Sequence, residues 1–208
     1  MDCGNGVRKL AVRYSASDSP FVIDGDTRYT EYESNGNRHF AVTNKDKDSL
    51  TMRIIGIDPG TGIMGFGVIE VTAGKTVLVT AGAITTPPHT PLAERLEEIY
   101  TSLQGIIEET KPQLMAIEKL FFNQNVTTAM SVSHARGVAM LAGQQAGLSI
   151  EEYTPLQIKQ TITGYGRATK KQMQEMVRLH LNLVEAPKPD DCADALAAAL
   201  MCAVMNRL

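Results

Sequence analysis

The chain has 208 residues, a formal net charge of −3 and 43% hydrophobic residues, which suits one globular domain with an appendage and a sizeable core. No stretch approaches the roughly 18 apolar residues of a membrane span, the first residues lack a signal-peptide core, and the three cysteines have no metal-ligand spacing. We therefore expect a soluble protein of the reducing cytoplasm, and the small negative charge does not exclude a local basic surface for nucleic acid.

Residues 1–51 differ in composition from the rest, with Gly, Ser, Asn and Asp scattered throughout. Alternation at 21–23 and 28–32 allows short strands, but we expect no stable core there. The segment is predicted to be a poorly structured extension, a tag, or sequence upstream of a native start at Met52. The functional domain is expected to span residues 52–208.

The first convincing strand of that domain ends on a carboxylate. Its apolar run, at 54–57, is rich in β-branched residues, as expected of a strand buried on both faces of a sheet. Asp58 follows directly, and Pro59 and Gly60 turn the chain after it. The strand therefore leaves Asp58 at the edge of the sheet, although the motif alone would be only a turn.

The remaining pattern predicts an α/β domain with a mixed sheet. The apolar run 114–117 lies between two helices, which favours a central parallel strand, and it too ends on an acid, Glu118. The last helix, 190–206, is nearly all apolar beyond its first turn and must be buried. The other predicted elements are hairpin strands at 65–71 and 76–83, helices over 91–109 and 127–145, a strand at 149–153, a helix over 155–162 and a helix that starts at Lys170 behind a Thr169 cap.

Acidic residues at these ends are candidates for a metal site. The last helix begins with acids, and Asp194 can share a face with Asp191 or with Asp190. For that helix alone, capping and the helix dipole are the better explanation. Together with Asp58 and Glu118, however, the acids would repel one another at one apolar spot unless cations offset the charge. Two Mg²⁺ ions about 4 Å apart can activate water against a phosphodiester, so phosphoryl hydrolysis is the indicated chemistry.

The order of these motifs resembles the ribonuclease H-like fold of the retroviral-integrase superfamily and, within it, the RuvC Holliday junction resolvase family. The similarity runs from Met52 to the C-terminus. It is carried by Ile-Gly-Ile-Asp58-Pro-Gly, Ala-Ile-Glu118, His-Ala-Arg136-Gly-Val, Ile-Lys159-Gln-Thr with Gly-Tyr-Gly, and Asp-Asp191-Cys-Ala-Asp194-Ala-Leu-Ala. The resemblance implies a mixed five-stranded sheet flanked by helices.

The resemblance also implies an activity. Members of this family nick two strands of like polarity at a four-way DNA junction, symmetrically, in recombination and repair. The family's catalytic and metal-binding acids match Asp58, Glu118, Asp191 and Asp194, with Asp190 as an extra acid beside them. It further implies a homodimer, two Mg²⁺ per subunit with Mn²⁺ able to substitute, and the branch-migration proteins RuvA and RuvB as partners.

Aromatic and basic residues complete the comparison with the family. Phe121 matches an aromatic that stacks on a base at the opened junction centre, whereas Phe122 is better explained as core. Lys159 and Lys170 match DNA-contacting lysines, and other cations fall around the same loop. The residues expected to bind phosphate, rather than to form only a solvated face, are Lys159, Arg167, Lys170 and Lys171. His134, His180 and Cys192 are given no catalytic role.

The helix over 127–145 is the predicted dimer interface. Its small residues Ala129, Ala135, Gly137 and Ala139 would admit a partner helix, and Met130, Met140 and Leu141 offer adaptable apolar area. The alternative is that this face packs inside its own domain.

Two other functions compete with the nuclease. Actin-like and sugar-kinase folds also begin with a strand, an Asp and a glycine-rich turn, but they need two such domains, roughly 350 residues at usual domain sizes. A junction-binding module without catalysis would keep the basic residues and lose acids, whereas this sequence retains all four.

Overall fold

The computed structural model describes residues 10–12, 29–34, 37–42, 51–120 and 126–208. Every element predicted between residues 52 and 208 is present, and no helix in the described ranges is long and apolar enough to cross a membrane. The strands are β1 (Leu10–Val12), β2 (Tyr29–Ser34), β3 (Asn37–Val42), β4 (Thr51–Asp58), β5 (Ile63–Thr72), β6 (Lys75–Thr85), β7 (Leu114–Glu118) and β8 (Ser149–Tyr153). The helices are α1 (Leu92–Thr110), α2 (Val126–Gln145), α3 (Pro155–Thr163), α4 (Lys170–His180) and α5 (Asp190–Met205).

The central sheet is mixed, with strand order β1-β6-β5-β4-β7-β8. Strands β4, β5 and β6 are antiparallel neighbours, whereas β7 runs parallel to β4 and β8 runs parallel to β7. The predicted five-stranded mixed sheet is confirmed, and β1 adds a sixth strand antiparallel to β6. Strands β2 and β3 form a separate hairpin. The rest of the predicted N-terminal extension lies outside the described residues.

Side chains of β4 alternate between two hydrophobic cores. Ile54 packs into the core that contains α5, whereas Ile55 and Ile57 pack into the core that contains α1 and α2. All three side chains are 0% exposed, and burying each contributes about 1.5–3 kcal/mol. Because both faces of the strand are covered by helices, its sequence is apolar throughout rather than alternating.

Helix α5 lies directly on the sheet because glycines on β4 and β5 leave room for it. A Cβ atom on Gly56 would stand 1.9 Å from the carbonyl oxygen of Ala195, and one on Gly65 would stand 2.1 Å from that of Asp191. Gly67 pairs with Gly56 across the two strands, and a Cβ there would be 2.5 Å from the side chain of Leu196. The start of α5 is thereby held against the end of β4.

Helix α2 buries one face and exposes the other. Ala135 and Ala139 are 0% exposed and pack into the domain's own core, so the expectation that these two residues admit a partner helix is wrong. Met130 and Leu141 are 57% and 51% exposed. Gly137 is also exposed, with no atom within 4 Å of a Cβ built on it. A face with heptad-like spacing therefore remains uncovered in the described residues.

Candidate active site

Asp58 and Glu118 are the last residues of two neighbouring parallel strands, β4 and β7. The register pairs Ile57 with Ile117, so the two acids come next to each other at the same edge of the sheet. Side chains alternate along a strand, and Ile57 and Ile117 both point to the α1/α2 core. Asp58 and Glu118 therefore both lie on the opposite face, which α5 covers.

Hydrogen bonds hold the turn that follows Asp58 on two sides. The hydroxyl of Thr86, which directly follows β6, donates to the carbonyl of Thr61 at 2.6 Å, and Arg95 Nε on α1 donates to that hydroxyl at 2.7 Å. The Thr61 hydroxyl pairs with that of Ser131 on α2 at 2.6 Å. Contacts from three elements thus restrict the backbone that carries Asp58, and sequence reasoning assigned none of these polar residues to the site.

The acids of α5 do not serve as its cap. The N-cap position is Pro189, which has no side-chain hydrogen bond to the first turn, and Asp190 and Asp191 already lie within that turn. The capping explanation is therefore wrong for this helix, although both acids still suit the positive end of its dipole. Asp194 follows one turn later, and Ala195 after it contacts Gly56 on β4. The helix thus brings its acidic first turns over the strand ends.

The carboxylates interact electrostatically. Burial, followed by the charges of Asp194, Glu118 and Asp191, raises the pKa of Asp58 to about 7. Burial and then Asp194 raise the pKa of Glu118 to about 7 as well, while Lys159 acts in the opposite direction. Burial also raises the pKa of Asp194, against the effect of Lys170. Asp58, Glu118 and Asp194 are therefore poorly hydrated carboxylates whose charges repel one another, and the charge of Asp191 adds to that repulsion.

Lys170 is the cation nearest to the acids of α5. Its Nζ atom lies 3.4 Å from Asp194 Oδ2 and 3.5 Å from Asp190 Oδ2. Burial alone would lower the pKa of Lys170, but these acids outweigh it and raise that pKa. Asp190 also accepts a hydrogen bond from Gln174 Nε2 at 2.7 Å. Asp190 therefore points toward α4, whereas Asp191 is the one whose charge acts on Asp58.

The donor set suits a hard divalent cation. All four converging groups are carboxylates, and oxygen ligands are those that Mg²⁺ prefers. Among the described residues, no three His, Cys, Asp or Glu side chains lie close enough together, as they stand, to hold a metal ion. The acids therefore fit such an ion in the chemistry of their oxygen atoms and in the electrostatics of the site.

The remaining residues singled out in the sequence are two aromatic residues, two cations, a cysteine and a histidine. Phe121 and Phe122 lie outside the described residues. Arg167 and Lys171 are exposed and form no ion pair with the described part of the chain. Burial, and then Asp191, raises the pKa of the Cys192 thiol to about 12, which agrees with the absence of a nucleophilic role. His180 Nε2 lies 3.2 Å from the carbonyl oxygen of Ile162, a structural contact.

Three glycines of the sheet position the site, and sequence reasoning assigned them no role. Gly56, Gly65 and Gly67 interrupt strands with no side chain to contribute, and such glycines often mark the close approach of another backbone. That signal was present in the sequence. What it did not reveal is that α5 is the backbone that approaches.

The strand order, the helices on both faces and the acids at the ends of two central strands define the chain as a ribonuclease H-like domain. A sequence profile for the family described as "Crossover junction endodeoxyribonuclease RuvC" matches residues 54–202. The chain belongs to this RuvC family.

Curated relatives agree with that assignment. Crossover junction endodeoxyribonuclease RuvC of Heliobacterium modesticaldum is 55% identical over 152 residues, which are 73% of this chain and 94% of that protein. The protein of the same description from Chloroflexus aurantiacus is 54% identical over 149 residues, which are 72% of this chain and 91% of the relative.

Solved structures agree as well. Thermus thermophilus RuvC in complex with a Holliday junction substrate superposes with a TM-score of 0.71 and 37% sequence identity, covering 75% of this chain and 95% of that one. The yeast mitochondrial Holliday junction resolvase Ydc2 has a TM-score of 0.57 at 12% identity, covering 76% and 80% of the two chains, and shares the fold.

Proposed function

We propose that this protein resolves four-way DNA junctions in recombination and repair, as a structure-specific endodeoxyribonuclease that nicks two strands of like polarity. The observation that supports the proposal is the electrostatic coupling of Asp58, Glu118, Asp191 and Asp194, which helps to raise the pKa values of Asp58 and Glu118 to about 7, in a chain of the RuvC family. A junction-binding module without catalysis would have no use for such a mutually repelling cluster.

The family implies a nuclease that depends on a divalent metal ion, and we propose Mg²⁺, two per subunit, with Mn²⁺ able to substitute. Asp58, Glu118, Asp191 and Asp194 would hold the ions, whose chemistry is to activate a water molecule and to stabilise the leaving oxygen of the phosphodiester. Burial among apolar residues strengthens the electrostatic interactions of these carboxylates. The hydrogen-bonded turn at Thr61 keeps Asp58 in place, so little reorganisation is needed when DNA binds.

The basic residues of α3, α4 and the loop between them are proposed to bind the phosphates of the junction. Lys159 lies close enough to Glu118 to lower its pKa, and Lys170 contacts Asp194 at 3.4 Å. Arg167 and Lys171 are exposed nearby in the sequence. Lys159 and Lys170 thus lie beside the acids, so they would hold the DNA backbone where the carboxylates can reach it. Phe121, three residues after Glu118 in the sequence, is proposed to stack on a base at the junction centre.

A homodimer is the proposed working unit. A closed two-fold pair would present identical acid clusters to two strands of like polarity. The exposed face of α2, with Met130 57% and Leu141 51% exposed, is the proposed contact between subunits. We further propose RuvA and RuvB as partners, a cytoplasmic location, and residues 52–208 as the functional unit.

The decisive experiment is a cleavage assay on a synthetic four-way junction labelled in turn on each strand. With Mg²⁺ the protein should nick two opposed strands at matched positions, and with Ca²⁺ it should bind without nicking. A linear duplex of the same sequence is the control substrate. ATP hydrolysis with no junction cleavage would contradict the proposal and favour the kinase-like alternative.

A further inference from the structure

The loop between α3 and α4, at residues 164–169, is held by side chains of α3. Gln160 Nε2 donates to the carbonyl of Gly164 at 2.8 Å, and Gln160 Oε1 accepts the amide hydrogen of Gly166 at 3.0 Å. The hydroxyl of Thr163 accepts the amide hydrogen of Tyr165 at 3.1 Å. One side-chain amide therefore clamps the residues on both sides of Tyr165, and the loop has a defined shape before it meets any ligand.

The fold accounts for both glycines of the Gly-Tyr-Gly sequence. Gly164 ends α3 with a φ of 72°, a left-handed conformation that glycine adopts without strain. At Gly166 a Cβ atom would stand 2.5 Å from Leu156 Cδ1, so that position has no room for a side chain. Each glycine thus has a local reason to be there.

The fold does not account for the tyrosine between them. The Tyr165 side chain is 57% exposed, and its phenol makes no hydrogen bond with the described part of the chain. The neighbouring Leu156 is 63% exposed and extends the apolar surface beside Gly166. A rigid loop therefore presents an aromatic ring to solvent.

Cations that reach the acid cluster lie on both sides of this ring in the sequence. Lys159, six residues before it, lowers the pKa of Glu118, and Lys170, five residues after it, contacts Asp194. Arg167, two residues away, is exposed. The ring thus belongs to the segment 159–170, whose first and last residues are lysines that interact with acids of the site. The positive charge of this segment favours a polyanion over a protein surface as its ligand.

We propose that the ring of Tyr165 stacks on a nucleobase of junction DNA close to the acid cluster. This inference rests on the proposed function. Every base has a π-face, so such a contact supports a nuclease that must engage bases unstacked at a junction. The hydrogen-bonded loop lowers the entropy cost of binding because its backbone is already ordered. A tyrosine with two side-chain torsions loses little freedom on contact.

The test measures binding of the full chain in Ca²⁺ to a four-way junction that carries 2-aminopurine next to the crossover. Tyr165→Ala should weaken junction binding about 5- to 150-fold, the range expected for one lost base–aromatic stack. Tyr165→Phe should keep the wild-type affinity, since the ring and not the hydroxyl makes the contact. Leu179→Ala, at a side chain of α4 that is 53% exposed, is the matched control and should change nothing.

Two further readouts separate stacking from a general effect on DNA binding. The slope of affinity against salt concentration should be the same for Tyr165→Ala and wild type, because no phosphate contact is lost. Fluorescence of the 2-aminopurine should be quenched by wild type and Tyr165→Phe, and less by Tyr165→Ala. Unchanged affinity and quenching in Tyr165→Ala, or an equal loss in Leu179→Ala, would overturn the inference. Wild type that binds no junction would refute the proposed function itself.

Discussion

Replacement of Asp58 by Asn should stabilise the metal-free protein at alkaline pH. Burial and neighbouring acids raise the pKa of Asp58 from 3.8 to about 7 in the folded protein. Between those values the folded protein keeps a proton that the unfolded chain has released. Stability contributed by this group is therefore present at low pH and lost as the pH rises through about 7. Asn carries no charge, so the variant avoids that loss.

The size of the effect follows from the pKa difference. The pKa of Asp58 rises by about three units, and each unit corresponds to about 1.4 kcal/mol. The free energy of unfolding can therefore change by about 4 kcal/mol at most. Side chains at the site can turn toward water, which weakens the repulsion, so we expect about half of that limit. For a domain of this size about 1 kcal/mol moves the melting temperature by about 2–4 °C. Asp58→Asn should thus melt about 4–8 °C above wild type near pH 8.

Thermal unfolding followed by circular dichroism, with a chelator present and at several pH values from about 4 to 8, tests this reasoning. The two proteins should have similar melting temperatures near pH 4 and diverge as the pH rises. Asp190→Asn is the matched control, since the exposed Asp190 side chain contacts Lys170 rather than Asp58. Equal melting temperatures at every pH, or a less stable Asp58→Asn near pH 8, would refute the buried, repelling cluster.

Three other perturbations test the site and the interface. Asp191→Asn should slow junction cleavage far more than Asp190→Asn, because only the former charge acts on Asp58; the reverse order in a nicking assay would move the ligand to position 190. Lys159→Ala and Lys170→Ala should each lower the salt-dependence slope of junction binding by about one, and an unchanged slope would mean that neither touches phosphate. Met130→Glu, at the exposed face of α2, should leave a folded monomer in sedimentation that makes uncoupled single nicks, and a dimer that still cuts both strands would place the interface elsewhere.

Much of the sheet and of its acidic edge could be predicted from the sequence. The β-branched run before Asp58 and the apolar run before Glu118 carry the local signal of buried strands, and both acids lie at strand ends in the structure. The Thr169 cap of α4 was also predictable, because a capping box depends on residues only three apart, and Thr169 accepts the amide hydrogen of Gln172 at 3.3 Å.

Long-range contacts could not be predicted in this way. Small and apolar residues lie on most sides of α2, so its sequence does not indicate which face is buried. The structure shows that Ala135 and Ala139 face the domain core while Met130 faces solvent. Similarly, the local sequence cannot distinguish acids in the first turn of α5 that cap the helix from acids that belong to a site. Only the packing of that helix on Gly56 and Gly65 brings them to the strand ends.

The most direct test of the central claim is the cleavage of a four-way junction by Glu118→Gln in Mg²⁺. Glu118 shares the site with Asp58 and Asp194 through their charges, and the amide keeps its shape while removing its charge. We predict that the variant binds the junction at least as tightly as wild type, because affinity comes from the basic residues, and that it makes no nicks. Nicking at the wild-type rate would contradict the four-carboxylate metal site.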